Sequence, residues 1–166
     1  PVLLVTGGSL GAKALNEAVL AALPALTTKF DVAHLTGRGN LSGTKIPGYF
    51  EKEFAGNMPD FFAAADAVLS RGGANTLFEL AALGLPSLIV PLPKGNSRGD
   101  QIDNARYFES RGAMRVLPQE KLSPDALSAA ITEVCDHKSE LADACKRLKP
   151  IDGTAAIAKI LTRYAE

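Results

Sequence analysis

At 166 residues, 46% of them hydrophobic, the chain has enough apolar material for one domain with a real core, and it shows no repeat or low-complexity tract. Lys and Arg total 18 and Asp and Glu total 18, so a formal net charge of zero removes any chain-wide electrostatic case for nucleic acid as a partner. No apolar run reaches the roughly 18 residues that cross a bilayer, and no basic leader precedes a processing site, so the expectation is a cytosolic domain.

Pro1 opens directly on the strand pattern PVLLVT without an initiator methionine. That start suggests a piece cut from a longer chain, with a natural subunit of processed terminus as the other reading. The next stretch, VTGGSLGAKALNEAV, places Gly7, Gly8, Ser9 and Gly11 between the strand and a helical pattern. Glycines there permit unusual dihedrals and let a ligand approach bare main chain. Unpaired N–H groups and the positive end of the helix dipole favour an anion, with Ser9 as N-cap or additional donor. An ordinary tight turn is the alternative. The stretch has neither the GxGxxG spacing of dinucleotide sites nor the GK[ST] ending of a P-loop.

Leu15, Ala18, Val19 and Ala22 then recur at i, i+3, i+4 and i+7, one apolar stripe that can lie on a sheet. DVAHLTGRG supplies a second strand and its turn, KEF a short third strand, AGNM a loop, and PDFFAAA a helix opened by proline. AVLSRGGANTLFELAALGLP reads as strand, glycine turn, helix and Gly-Leu-Pro stop, with Ala74, Leu77, Phe78 and Ala81 on the sheet side. SLIVPLP is a strand, KGNSRG a loop, and DQIDNARYFESRG a helix capped by Asp100 and closed by Gly112. RVL is a late strand, and Ser123-Pro124-Asp125 starts a helical pattern that runs almost to Glu166. Strands rich in Val, Ile and Leu alternating with helices indicate an α/β fold around a parallel sheet, without an interdomain linker.

Ligands of such sheets bind at the carboxyl ends of the strands, where three loops here carry Gly-rich or polar residues. The first is Gly7-Gly8-Ser9. The second is Ser70-Arg71-Gly72-Gly73, leading into a helix whose Asn75, Thr76 and Glu79 share a polar sector. A carboxylate one turn into that helix can accept both hydrogens of a ribose diol, which makes Glu79 the ribose candidate; a surface glutamate on the helix dipole is the other reading. Arg71 can neutralise a diphosphate or serve as a surface ion-pair partner. In the third loop, PLPKGNSRGDQIDNA, Gln101 and Asn104 can address sugar hydroxyls while Ser97 and Arg98 lie nearer the phosphates. Cys135 and Cys145 stand without CxxC or Cys/His clustering and fit helix packing, and His34 and His137 form no ligand pair. No catalytic triad, paired catalytic carboxylates or metal-ligand spacing is visible, so a hydrolase is disfavoured.

Together, GGSLGAKALNEAV, MPDFFAAADAVLSRGGANTLFELAALGLPSLIVPLP and SRGDQIDNA resemble the C-terminal half of the MurG family. Those enzymes transfer N-acetylglucosamine from UDP-GlcNAc to lipid I, the undecaprenyl-pyrophosphate muramoyl-pentapeptide, making lipid II for peptidoglycan. The resemblance implies one Rossmann-like half of a GT-B glycosyltransferase, with residues 1–166 as a single UDP-sugar-binding domain. Ser9 would meet the donor diphosphate from a glycine turn whose Gly8 and Gly11 also belong to the substrate-binding set, Glu79 would meet the ribose, and Gln101 with Asn104 the N-acetylglucosamine hydroxyls. Phe54 and Ala55 would border the uracil, and Arg71, Gly73, Asn75 and Thr76 would line the nucleotide. No cofactor or metal is implied. Acceptor binding, the candidate base and membrane contact would belong to an N-terminal half, with the parent enzyme peripheral at the cytoplasmic face of the membrane and this chain alone inactive. The alternatives are a free-standing donor subunit of a two-component N-acetylglucosaminyltransferase, or a non-catalytic Rossmann-like nucleotide-binding module.

Overall fold

The computed structural model describes residues 1–95, 99–148 and 153–164. Along the chain run β1 (Val2–Thr6), α1 (Lys13–Leu26), β2 (Asp31–Leu35), β3 (Tyr49–Lys52), α2 (Met58–Ala64), β4 (Ala67–Ser70) and α3 (Ala74–Leu83). They are followed by β5 (Ser87–Ile89), α4 (Asp100–Glu109), β6 (Arg115–Val116), a 3-10 turn (Gln119–Lys121), α5 (Pro124–Asp136), α6 (Lys138–Arg147) and α7 (Gly153–Tyr164). All strand pairings are parallel, in the order β3-β2-β1-β4-β5-β6. The order reverses between β1 and β4, the switch point at which open α/β sheets bind ligands.

Alternation along the strands builds a core on each face of the sheet. Leu3, Val5, Leu69 and Leu88 face Leu15 and Val19 of α1 and Leu127, Ile131 and Val134 of α5. Leu4, Val68 and Ile89 face Phe62, Leu77, Leu80 and Phe108 from α2, α3 and α4 on the other side. Fully burying each such side chain contributes about 1.5–3 kcal/mol, so helices on both faces are what stabilise strands this apolar. No helix among the described residues is long and apolar enough to cross a membrane.

Several predicted boundaries move. The third strand is Tyr49–Lys52 rather than KEF, because parallel pairing to β2 matches Val32 with Tyr49 and Leu35 with Lys52, leaving Glu53 and Phe54 beyond the strand end. On α3 the sheet-facing residues are Leu77, Leu80 and Ala81; Ala74 lies at the exposed first turn, and Phe78 sits edge-on to Phe108 at 5.2 Å while half its surface meets solvent. Asp100 is the first residue of α4 rather than its cap, since Gly99 holds the capping position at φ 90°. The predicted start at Ser123 holds, with its Oγ accepting from the Ala126 amide at 3.2 Å, but the following pattern divides into separate helices, and the predicted run to Glu166 reaches beyond the described residues. Both cysteines are free thiols; Cys145 is buried and its Sγ donates to Ala113 O.

A polar network lies buried between α1, β2 and β3. Asn16 Nδ2 donates to Thr36 O at 2.8 Å, which turns its Oδ1 toward the fully buried His34 ring at 3.1 Å. His34 Nε2 must therefore carry the proton, leaving Nδ1 to accept from the Tyr49 hydroxyl at 3.0 Å. Burial lowers the His34 pKa from 6.5 to about 4, against an opposing pull from the Glu51 charge. Burial alone would raise the Glu51 carboxyl, but the Ser42 amide and hydroxyl and the Gly43 amide together hold it below its usual range.

Because unfolded His34 binds a proton that the folded ring refuses, stability is full above about pH 6.5 and falls as pH drops toward 4, by about 3 kcal/mol from this group. Urea unfolding from about pH 7 to about pH 4 should show that loss, and a His34→Gln variant, with no ring to titrate, should lose less across the same interval.

Candidate functional site

After β1, the chain makes a closed turn of its own before the helix begins. The Gly11 amide donates to Gly8 O at 3.0 Å, and Gly8 and Gly11 take φ of 84° and 74°, a left-handed geometry that a Cβ penalises. Gly7 has no positive φ; its bareness serves packing, since a Cβ there would stand 2.7 Å from the Ala12 amide. The extra turn delays α1 to Lys13, with Ala12 at the capping position. Ser9 is therefore not an N-cap but an exposed residue at the tip of the turn.

That turn is braced by the one following β2. A Cβ on Gly11 would stand 2.1 Å from Thr36 O, and one on Gly37 would stand 2.2 Å from the Gly11 nitrogen, so the two backbones touch where no side chain fits. The Arg38 amide donates to Ser9 O at 3.4 Å, and Asn40 Nδ2 donates to Leu10 O at 3.2 Å. Glu53, just past β3, closes the group by accepting from the Gly39 amide at 2.9 Å.

Between these turns and the α2 and α3 helices lies a hollow of about 160 Å3. Thr6, Gly8 and Ser9 line it from β1, Leu35 from β2, and Glu53, Phe54 and Ala55 from the segment after β3. Met58 and Phe62 of α2 and Thr76 and Glu79 of α3 complete it. It sits at the switch point, beside the carboxyl ends of β1 and β4. Apolar walls with carboxylate, hydroxyl and bare peptide groups at the edge suit a flat ring attached to a polyol.

Half of the predicted residues thus come together: Gly8, Ser9, Phe54, Ala55, Thr76 and Glu79 share the hollow. The others stand behind it or beside it. Gly11 is occupied by its contact with Thr36, Gly73 caps α3 and accepts from the Leu77 amide, and Asn75 is exposed on the first turn of that helix. Arg71 turns toward the neighbouring strand end, its Nη1 donating to Val90 O at 3.0 Å and to Gln119 Oε1 at 2.8 Å, and burial pushes its pKa down. Gln101 Oε1 accepts from the Leu92 amide at 3.1 Å, and Asn104 Nδ2 donates to Gly72 O at 3.2 Å, so both tie α4 to the loops. Ser97 and Arg98 lie outside the described residues. The sequence reading missed Thr6, Leu35, Glu53, Met58 and Phe62. The displaced third strand hid Glu53, and the apolar members carry no signal that separates a pocket wall from a core.

The chain and its fold also match known proteins. The model for the glycosyltransferase family 28 C-terminal domain matches residues 2–159. The UDP-N-acetylglucosamine--N-acetylmuramyl-(pentapeptide) pyrophosphoryl-undecaprenol N-acetylglucosamine transferase of Legionella pneumophila (strain Paris) is 42% identical over 168 residues, covering 99% of this chain and 46% of that protein. Its namesake in Geobacillus thermodenitrificans is 46% identical over 141 residues, covering 83% of this chain and 40% of the relative. The crystal structure of MurG from Acinetobacter baumannii superposes with a TM-score of 0.84 at 26% identity, covering 97% of this chain and 49% of that one. The chain spans about half the length of the curated relatives it matches. With the family model matched along nearly its whole length, the chain belongs to glycosyltransferase family 28, as a C-terminal domain of that family.

Proposed function

We propose that residues 1–166 form the UDP-GlcNAc-binding domain of an inverting glycosyltransferase that adds N-acetylglucosamine to lipid I and so makes lipid II. The activity in the names of its relatives supports this reading, and one observation carries it: Ser9 and Glu79, from opposite sides of the switch point, face a single hollow. In this reading the nucleoside end of the donor enters. Uracil lies against Phe54 with the peptide groups of Phe54 and Ala55 along its edge, and Glu79 accepts from the ribose diol, as a carboxylate with four lone-pair sites can. About 160 Å3 is small for a whole nucleotide sugar, so the diphosphate rests on the Gly8-Ser9 tip and the sugar projects beyond it.

The acceptor's C4 hydroxyl attacks the anomeric carbon as the bond to the diphosphate breaks, inverting that centre. Charge grows on the departing UDP, and in this reading peptide N–H groups of the turn that displays Ser9 stabilise it. The acceptor site, the base that takes the hydroxyl proton and the contact with the cytoplasmic face of the membrane belong to the other half of the enzyme, so this domain binds donor without transferring it.

Calorimetric titration with UDP-GlcNAc, UDP and ADP is the direct test. The uridine ligands should bind and ADP should bind far more weakly; equal or absent binding of all three would end the proposal. Removing the carboxylate in Glu79→Ala should weaken UDP by about 1–3 kcal/mol, because the ribose hydroxyls lose a charged acceptor. Unchanged affinity in a folded Glu79→Ala protein would take Glu79 out of the site.

A further inference from the structure

A diphosphate brings concentrated negative charge to a rim that already carries the carboxylates of Glu53 and Glu79. Of the two arginines the sequence offers for the phosphates, Arg71 is spent on Val90 O and Gln119 behind the sheet end, and Arg98 lies outside the described residues. Resting on the functional reading above, we infer that Arg38, in the turn after β2, is the arginine that grips the donor diphosphate and sets the preference for diphosphate over bare nucleoside.

Arg38 is built into the rim from both ends of its peptide. Its amide donates to Ser9 O at 3.4 Å, and its carbonyl accepts from Asn40 Nδ2 at 3.0 Å. The residues on either side are pinned as well, Gly37 against the Gly11 backbone and Gly39 to Glu53. The exposed side chain therefore starts from a fixed point beside the Gly8-Ser9 tip. Its guanidinium carbon lies 5.7 Å from the centre of the Phe54 ring, a residue of the hollow wall.

A guanidinium resting on an aromatic face keeps its in-plane N–H donors, the fork that matches phosphate oxygens. Among the described residues the ion pairs join Lys13 to Glu17, Arg115 to Glu133 and Lys146 to Asp143, and none engages Arg38. Lys13, the cation at the start of α1, is drawn along its own helix toward Glu17. Arg38 thus combines a charge paired with no carboxylate among the described residues with contacts to both Ser9 and Phe54, the seats of phosphate and base in this reading.

The test compares the unmodified chain with Arg38→Ala and Arg38→Lys, each titrated with uridine and with UDP. UDP should bind Arg38→Ala about tenfold more weakly while uridine affinity stays unchanged, since one charge-assisted contact is lost. Arg38→Lys should recover part of the difference, keeping charge without the planar fork. Parallel losses for uridine and UDP would assign Arg38 to the support of Phe54, and no loss would place it off the ligand; either result overturns the inference. If the unmodified chain binds neither ligand, the functional reading falls first and the role of Arg38 falls with it. If it binds both equally and the variants match it, only the Arg38 inference falls.

Discussion

The site depends on one close contact: the peptide backbones at Gly11 and Gly37 meet at a separation that excludes any Cβ. Thr36 O stands at the centre of this meeting, abutting Gly11 while accepting the Asn16 amide from α1. Behind Asn16, the His34 ring and Tyr49 carry the same chain of hydrogen bonds across β2 to β3. A buried polar chain of this kind is costly when any member is left unsatisfied, so it holds the strands and α1 in one arrangement. The tip that displays Ser9 is fixed by that arrangement rather than by a helix cap of its own.

A second theme is the division of labour among polar residues. Of those whose groups bond to the protein, Gln101 and Asn104 join the start of α4 to the loops that follow β5 and β4, and Arg71 joins the loop after β4 to the end of β5 and the 3-10 turn. Among those that line the hollow, Thr6 and Ser9 come from the end of β1 and the turn after it, Glu53 from just past β3, and Thr76 and Glu79 from α3, which follows β4. A parallel sheet supplies both groups from the same loops, because every strand ends on the same side. Residue type alone does not sort them. An arginine after a strand reads equally as a ligand contact or a brace until its donors are traced to Val90 O and Gln119.

Much of the architecture is legible in the amino-acid sequence. Apolar runs at Val2–Thr6, Ala67–Ser70 and Ser87–Ile89 are buried on both faces and have no polar alternation to confuse their assignment. The short β3 is different: Tyr49–Lys52 follows a long polar loop, and with tertiary pairing to β2 unseen the strand is read too late, at Lys52-Glu53-Phe54. On α3, periodicity marks an apolar stripe, but which of its neighbours meets the sheet is set by how the helix rolls against α4, with Phe78 moving outward onto Phe108. For the site, glycines and a helix carboxylate were visible as ligand-binding chemistry. The walls built by Leu35, Met58 and Phe62 were not, since hydrophobic residues serve cores and pockets alike.

The reversal of strand order has a thermodynamic consequence. One wall of the hollow belongs to β1 and β2 and the other to α3, which follows β4, and these parts are joined in the sheet through the β1–β4 seam. A molecule seated there would hold both halves at once and be released when they separate. Its occupancy would act as a reversible crosslink, raising the free energy of opening the seam by mass action, most strongly when ligand is abundant relative to its dissociation constant.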